Sequence, residues 1–117
     1  MDENISVIEK IISLIVSLVS PEQIVLFGSY ARGDNTNKSD IDLLIIKKDL
    51  KNEREINNIL YKAFYENKIN IPIDLISVDS NKYNNLKNEI GYIYKTIEEQ
   101  GKIIYGTLWV MARTFQK

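Results

Sequence analysis

A compact α/β sheet covered by helices is the architecture this sequence predicts, in one domain and in an α-β-α-β-α-β-like order. Three observations predict it. Segments of helical period alternate with short, nearly continuous apolar runs, the pattern of sheet strands buried on both faces. The chain has 117 residues, enough for one domain with a core that needs no covalent staple. Its 44% hydrophobic and 26% charged residues are ordinary globular usage, which excludes disorder of the whole. The 15 basic residues are balanced by 16 acidic ones, so no overall positive field favours a nucleic-acid backbone. With no Cys and no His, thiol nucleophiles, disulfides, thiolate zinc sites and His-based triads are all excluded. Chemistry must come from carboxylates, hydroxyls, Lys, Arg and the backbone.

The elements follow in order. Ile5, Ile8, Ile12, Ile15 and Val19 recur at helical spacing over residues 5–19, with Ser6 and Glu9 as a capping box at the start. Ser20-Pro21 breaks this helix. The run Ile24–Phe27 is a buried strand that stops at Gly28-Ser29, and the polar stretch Arg32–Ser39 reads as a loop. Ile41–Ile46 is a second strand. Residues 52–67 are helical, with Ile56, Ile59, Leu60, Ala63 and Phe64 as the inner stripe. Ile71–Val78 is a third strand, with Pro72 near its start, where a missing N–H is tolerable. Lys82–Glu99 reads as one further helix capped by Gly101, followed by a short edge strand at Ile103–Tyr105. The apolar stretch Ile11–Val19 is preceded by Asp2, Glu3 and Glu9 rather than by basic residues, and no small-residue cleavage site follows, so it is not read as a signal peptide. It is also shorter than the roughly 20 residues a membrane span needs. The expected location is the cytoplasm.

Three features carry chemistry. Gly28-Ser29 follows a buried strand, where a glycine lets the backbone turn sharply and approach a ligand. The N–H groups of a helical turn starting there suit a phosphate, although an isolated Gly-Ser also fits a plain strand-to-helix turn. Gly28 and Gly33 have the separation of a Walker loop, but Asp34-Asn35 stands where Lys-Ser/Thr is required. Asp40-Ile41-Asp42 opens the second strand. Residues two apart share a strand face, so the carboxylates of Asp40 and Asp42 lie side by side with Ile41 opposite. Such a pair suits a hard cation such as Mg²⁺ or Mn²⁺, or else is a solvated strand end. Asp74 sits inside an otherwise apolar strand, where an unpaired charge is costly. It reaches the Asp40/Asp42 pair if the third strand lies beside the second; otherwise it is an edge carboxylate facing water.

Gly28-Ser29, then Asp40-Ile41-Asp42, then a carboxylate on a later strand resembles the polymerase-β-type nucleotidyltransferase superfamily. The stretch Leu26-Phe-Gly-Ser-Tyr-Ala-Arg-Gly-Asp with Ser39-Asp-Ile-Asp-Leu-Leu-Ile is most similar to the minimal nucleotidyltransferases, the antitoxins of HEPN toxins. The resemblance covers roughly residues 5–106. It implies a single small nucleotidyltransferase domain with a mixed β-sheet packed by helices, spanning residues 1–106. It further implies transfer of AMP from ATP to a hydroxyl, with two Mg²⁺ ions (Mn²⁺ as a substitute) held by Asp40, Asp42 and Asp74. Asp74 would also help to deprotonate the attacking hydroxyl. Gly28 and Ser29 would hold the outgoing phosphates. Arg32 is placed either on a phosphate or in a salt bridge to Asp34 or Asp42, Tyr30 either in the core or on the base, and Lys38 in a solvated loop.

At 117 residues, no second, acceptor-binding domain of the kind larger superfamily members carry is expected. The acceptor is then another molecule, which the resemblance implies is a tyrosine of a HEPN RNase toxin, silenced by the modification in a hetero-oligomer. Two alternatives remain open on the residues: neutralisation by binding with little catalysis, and a free-standing enzyme acting on a small molecule. Direct nucleic-acid or membrane binding is not expected. The tail 107–117 carries Leu108, Trp109, Val110, Met111 and Phe115, and is read as a partner contact or as packing on the domain edge.

Overall fold

The structure is a computed structural model and describes residues 3–106. In chain order the elements are α1 (Glu3–Val19), β1 (Gln23–Phe27), α2 (Gly28–Arg32), β2 (Ile41–Lys47), α3 (Glu53–Glu66), β3 (Ile73–Asp79), α4 (Ser80–Leu86), α5 (Ile93–Gln100) and β4 (Lys102–Gly106). The strands form one sheet in the order β3-β2-β1-β4. β1 is antiparallel to both β2 and β4, whereas β2 and β3 are parallel, so the sheet is mixed as expected. No described helix is long and apolar enough to cross a membrane. The expectations for the tail 107–117 fall outside the described residues.

Strand alternation builds two cores, one on each face. Ile24, Leu26, Ile41, Leu43, Ile45 and Leu75 point one way and meet Ile11, Ile15 and Val19 of α1 and Leu60 and Phe64 of α3. Val25, Leu44, Ile46 and Val78 point the other way and are covered by Tyr83 of α4 and Tyr94 and Ile97 of α5. Both faces of β2 are therefore dry, which is why its sequence reads as an unbroken apolar run rather than an alternating one.

Several local expectations are corrected. The first helix already runs from Glu3, because no breaker precedes Ser6; Ser6 lies inside it rather than at its cap. Ile59 is 40% exposed, since the helical period carries it off the edge of the Leu60, Ala63 and Phe64 stripe. Arg32 belongs to the short helix α2 rather than to the loop, which begins after the left-handed Gly33 cap. The expected single helix over Lys82–Glu99 is two helices, α4 and α5, joined through residues 87–92. Tyr83 and Tyr94 would lie about 16 Å apart on a straight helix. Here their rings meet edge to face with centroids at 5.8 Å, because the break folds both helices onto the same apolar face. Gly101 does follow α5, with its N–H donating to the Ile97 carbonyl at 2.8 Å. Its backbone is extended rather than left-handed, and its lack of a side chain is required by close packing on the Ile97 carbonyl and Val25. The edge strand expected at Ile103–Tyr105 is present as β4.

Candidate active site

The candidate residues come together at one end of the sheet, where β1 finishes and β2 and β3 begin. Phe27, the last residue of β1, lies opposite Asp42 in the antiparallel register. In the parallel register Asp42 is level with Asp74, and Ile41 with Ile73. The Ile41 N–H donates to the Pro72 carbonyl at 2.9 Å, which anchors the start of this pairing next to Asp40. Asp42 shares its face with Leu44 and Ile46, and Asp74 shares its face with Ile76 and Val78. Both carboxylates therefore project on the α4/α5 side, at the end of the sheet beyond the core those helices cover. Asp40 is exposed just ahead of β2, Asp42 is half-buried and Asp74 is exposed.

The electrostatics follow from this crowding. Burial raises the Asp42 carboxyl above the ordinary value of 3.8, the negative charges of Asp74 and Asp40 raise it further, and Arg32 opposes the rise. Asp74 is also raised, first by partial burial and then by a hydrogen bond to Asp40 and its charge, while a hydrogen bond to Asp42 pulls the other way. Asp42 and Asp74 thus each feel the neighbouring carboxylates. Among the described residues no three acidic side chains are closed into a finished ligand cage. The donor set is nonetheless oxygen-only and anionic, with one half-buried member, which fits a hard divalent cation.

Gly28 has a role the sequence did not reveal. Its φ is +72°, a left-handed conformation, and a Cβ placed there would overlap Oδ2 of Asp42. The glycine therefore leaves room for a carboxylate of this chain itself. Ser29 is half-buried in the first turn of α2, and its carbonyl accepts from the N–H groups of Gly33 at 2.9 Å and Asp34 at 3.1 Å, closing the turn. Of the alternatives for Arg32, the salt bridge to Asp34 forms (Nε to Oδ2, 3.2 Å), and its charge also reaches Asp42. Half of the Arg32 side chain remains exposed, so this pair is weak and the guanidinium can be recruited by another anion. Tyr30 packs against the core under α1 and α3. It also lines an open polar cleft of about 360 Å³ with Asn35, Thr36, Ser39, Asn70 and Pro72. Lys38 is exposed in the loop, its N–H bound to the Thr36 hydroxyl.

Sequence reasoning passed over Asp79. Its carboxylate caps α4 through the N–H groups of Asn81 and Lys82, and it accepts from the Leu50 N–H at 3.0 Å. An Asp directly before a helix was the available signal, hidden because the helix was placed too late. The contact of Tyr61 with the backbone of Leu75 was also missed, and it had no local signal at all.

Residues 8–104 match the nucleotidyltransferase domain family, and the chain belongs to that family. A Methanocaldococcus jannaschii relative, named as a candidate protein adenylyltransferase, is 38% identical over 79 residues, covering 67% of this chain and 71% of its own length. Three further relatives of the same description from that archaeon are spanned over 39%, 25% and 36% of their lengths. Among solved structures, a chain of a mutant MntA–HpeT toxin–antitoxin complex matches with TM-score 0.52 at 27% identity, covering 99% of this chain and 89% of that one. A chain from the complex of tri-AMPylated Shewanella oneidensis HEPN toxin with its MNT antitoxin matches with TM-score 0.53 at 25% identity, covering 89% and 73%.

Proposed function

We propose that this nucleotidyltransferase domain is an antitoxin that transfers AMP from ATP to a tyrosine hydroxyl of a cognate HEPN toxin in the cytoplasm. The observation that carries the reading is the parallel register of β2 and β3, which sets Asp74 level with Asp42 and within one interacting group with Asp40. The relatives named as adenylyltransferases and the toxin–antitoxin neighbours support the choice of reaction and partner.

Asp40, Asp42 and Asp74 would hold two Mg²⁺ ions, with Mn²⁺ as a substitute. Such ions neutralise the triphosphate and lower the pKa of a bound hydroxyl. The turn at Gly28 and Ser29 holds the outgoing phosphates through N–H and hydroxyl groups, and Arg32 moves from Asp34 to the triphosphate. Asp74 accepts the proton of the attacking tyrosine through a carboxylate oxygen. The new bond joins that hydroxyl oxygen to the α-phosphorus, the bond from the α-phosphorus to the bridging oxygen breaks, and pyrophosphate leaves. Because such transfer depends on positioning and charge neutralisation, a chain without His or Cys suffices.

The test is mass spectrometry of the partner toxin after incubation with this protein, ATP and Mg²⁺. An AMP adduct on a tyrosine, absent with Asp42→Asn, is expected. An unmodified toxin that is still silenced would replace this reading with neutralisation by binding.

A further inference from the structure

Among the described residues β3 pairs only with β2, so the carboxylate of Asp74 belongs to the outermost described strand on its side of the sheet. An edge strand has one row of unpaired backbone groups and is free to fray or slip. Slippage by one residue would carry Asp74 to the opposite face, away from Asp42. The Ile41 N–H holds the inner side of β3 at its start through the Pro72 carbonyl, while on the outer side no further strand among the described residues does so.

Two residues of α3, one helical turn apart, grip this edge. The hydroxyl of Tyr61 accepts from the N–H of Leu75, the residue after Asp74, at 2.9 Å. Asn57 accepts from the Ser77 hydroxyl through Oδ1. The Tyr61 ring is itself fixed edge to face on the buried Phe64, with centroids at 6.5 Å, so its hydroxyl is delivered from the core rather than from a free side chain. Tyr61 is 41% exposed, so its loss would open the Leu75 amide to water without leaving a buried cavity.

We propose that Tyr61 is a positioning residue for Asp74: by sealing the β3 edge at Leu75, it keeps the Asp74 carboxylate level with Asp42 for cation binding. The inference rests on the reading of Asp40, Asp42 and Asp74 as the cation site. Asn57 holds the same edge two residues further on, where Ser77 and Val78 are themselves buried, and serves stability rather than the site.

The experiment compares the wild-type chain with Tyr61→Phe and Asn57→Ala. Mn²⁺ affinity is read by electron paramagnetic resonance in the presence of a non-hydrolysable ATP analogue, and hydrogen exchange at the Leu75 amide is followed in parallel. Tyr61→Phe keeps the ring on Phe64 and removes only the acceptor. It should speed Leu75 exchange and weaken Mn²⁺ binding about tenfold, the low end of what loss of an outer-shell partner causes. Asn57→Ala should lower the melting temperature and leave Mn²⁺ affinity at the wild-type value wherever the protein is folded. Wild-type Mn²⁺ affinity in Tyr61→Phe, with Leu75 exchange accelerated, would overturn the proposal while leaving the cation site standing. A wild-type chain that binds no Mn²⁺ with nucleotide would overturn the cation site itself, and the proposal with it.

Discussion

Replacing Gly28 with alanine tests the link between the turn after β1 and the carboxylate it packs against. An L-residue at φ +72° costs about 1–2 kcal/mol. The new Cβ also overlaps Oδ2 of Asp42, the far end of that side chain. Turning that carboxylate aside costs about 0.5–1.5 kcal/mol more. The sum, about 1.5–3.5 kcal/mol, lowers the melting temperature on the order of 10 °C and leaves a folded protein. Function should suffer far more than stability, because displacing Asp42 disturbs a direct ligand of the proposed cation site, which typically weakens metal binding by at least ten- to a hundredfold. The assays are urea denaturation and AMP transfer from labelled ATP, measured on the same preparation at a temperature where the variant is folded. A Gly28→Ala protein that keeps wild-type stability and transfer rate would show that the turn and Asp42 are not in contact. One that is destabilised yet fully active would show that the position of Asp42 is not critical.

The remaining predictions concern charge. Asp42 and Asp74 both have raised carboxyl pKa values, so the folded protein binds protons that the unfolded chain has already released, and stability falls as pH rises from near 3.8 through the folded values. Asp42→Asn should therefore denature at higher urea than wild type at neutral pH without divalent ions, although it transfers no AMP; a lower midpoint would contradict the electrostatic picture. Arg32→Ala removes an exposed pair with Asp34 and a screened attraction to Asp42, so stability should change by less than about 1 kcal/mol, while ATP affinity measured by calorimetry drops. Unchanged affinity would place the triphosphate away from α2. Burial, reinforced by Glu98, pushes the Tyr83 hydroxyl far above its ordinary value, and it donates to Glu98 between α4 and α5. Tyr83→Phe should cost about 1–3 kcal/mol in thermal unfolding and leave transfer intact; a large loss of transfer would tie the α4–α5 layer to the reaction.

Periodic patterns were legible in the chain because they are local. The unbroken apolar run of β2 announced a strand buried on both faces, and Asp40-Ile41-Asp42 already implied two carboxylates on one face, since alternation follows from backbone geometry alone. The helical stripe of α3 was readable for the same reason, apart from Ile59 at its margin. The break between α4 and α5 was not, because it depends on an apolar face that only the assembled sheet provides. Three relations belong to the tertiary structure alone: the level pairing of Asp42 with Asp74, the contact of Gly28 with Asp42, and the seal of Tyr61 on Leu75. Each joins residues 14 or more positions apart. No local period specifies which strand lies beside which, or at what register. That choice is made when both faces of the sheet bury their apolar rows at once, and it brings the carboxylates into one group.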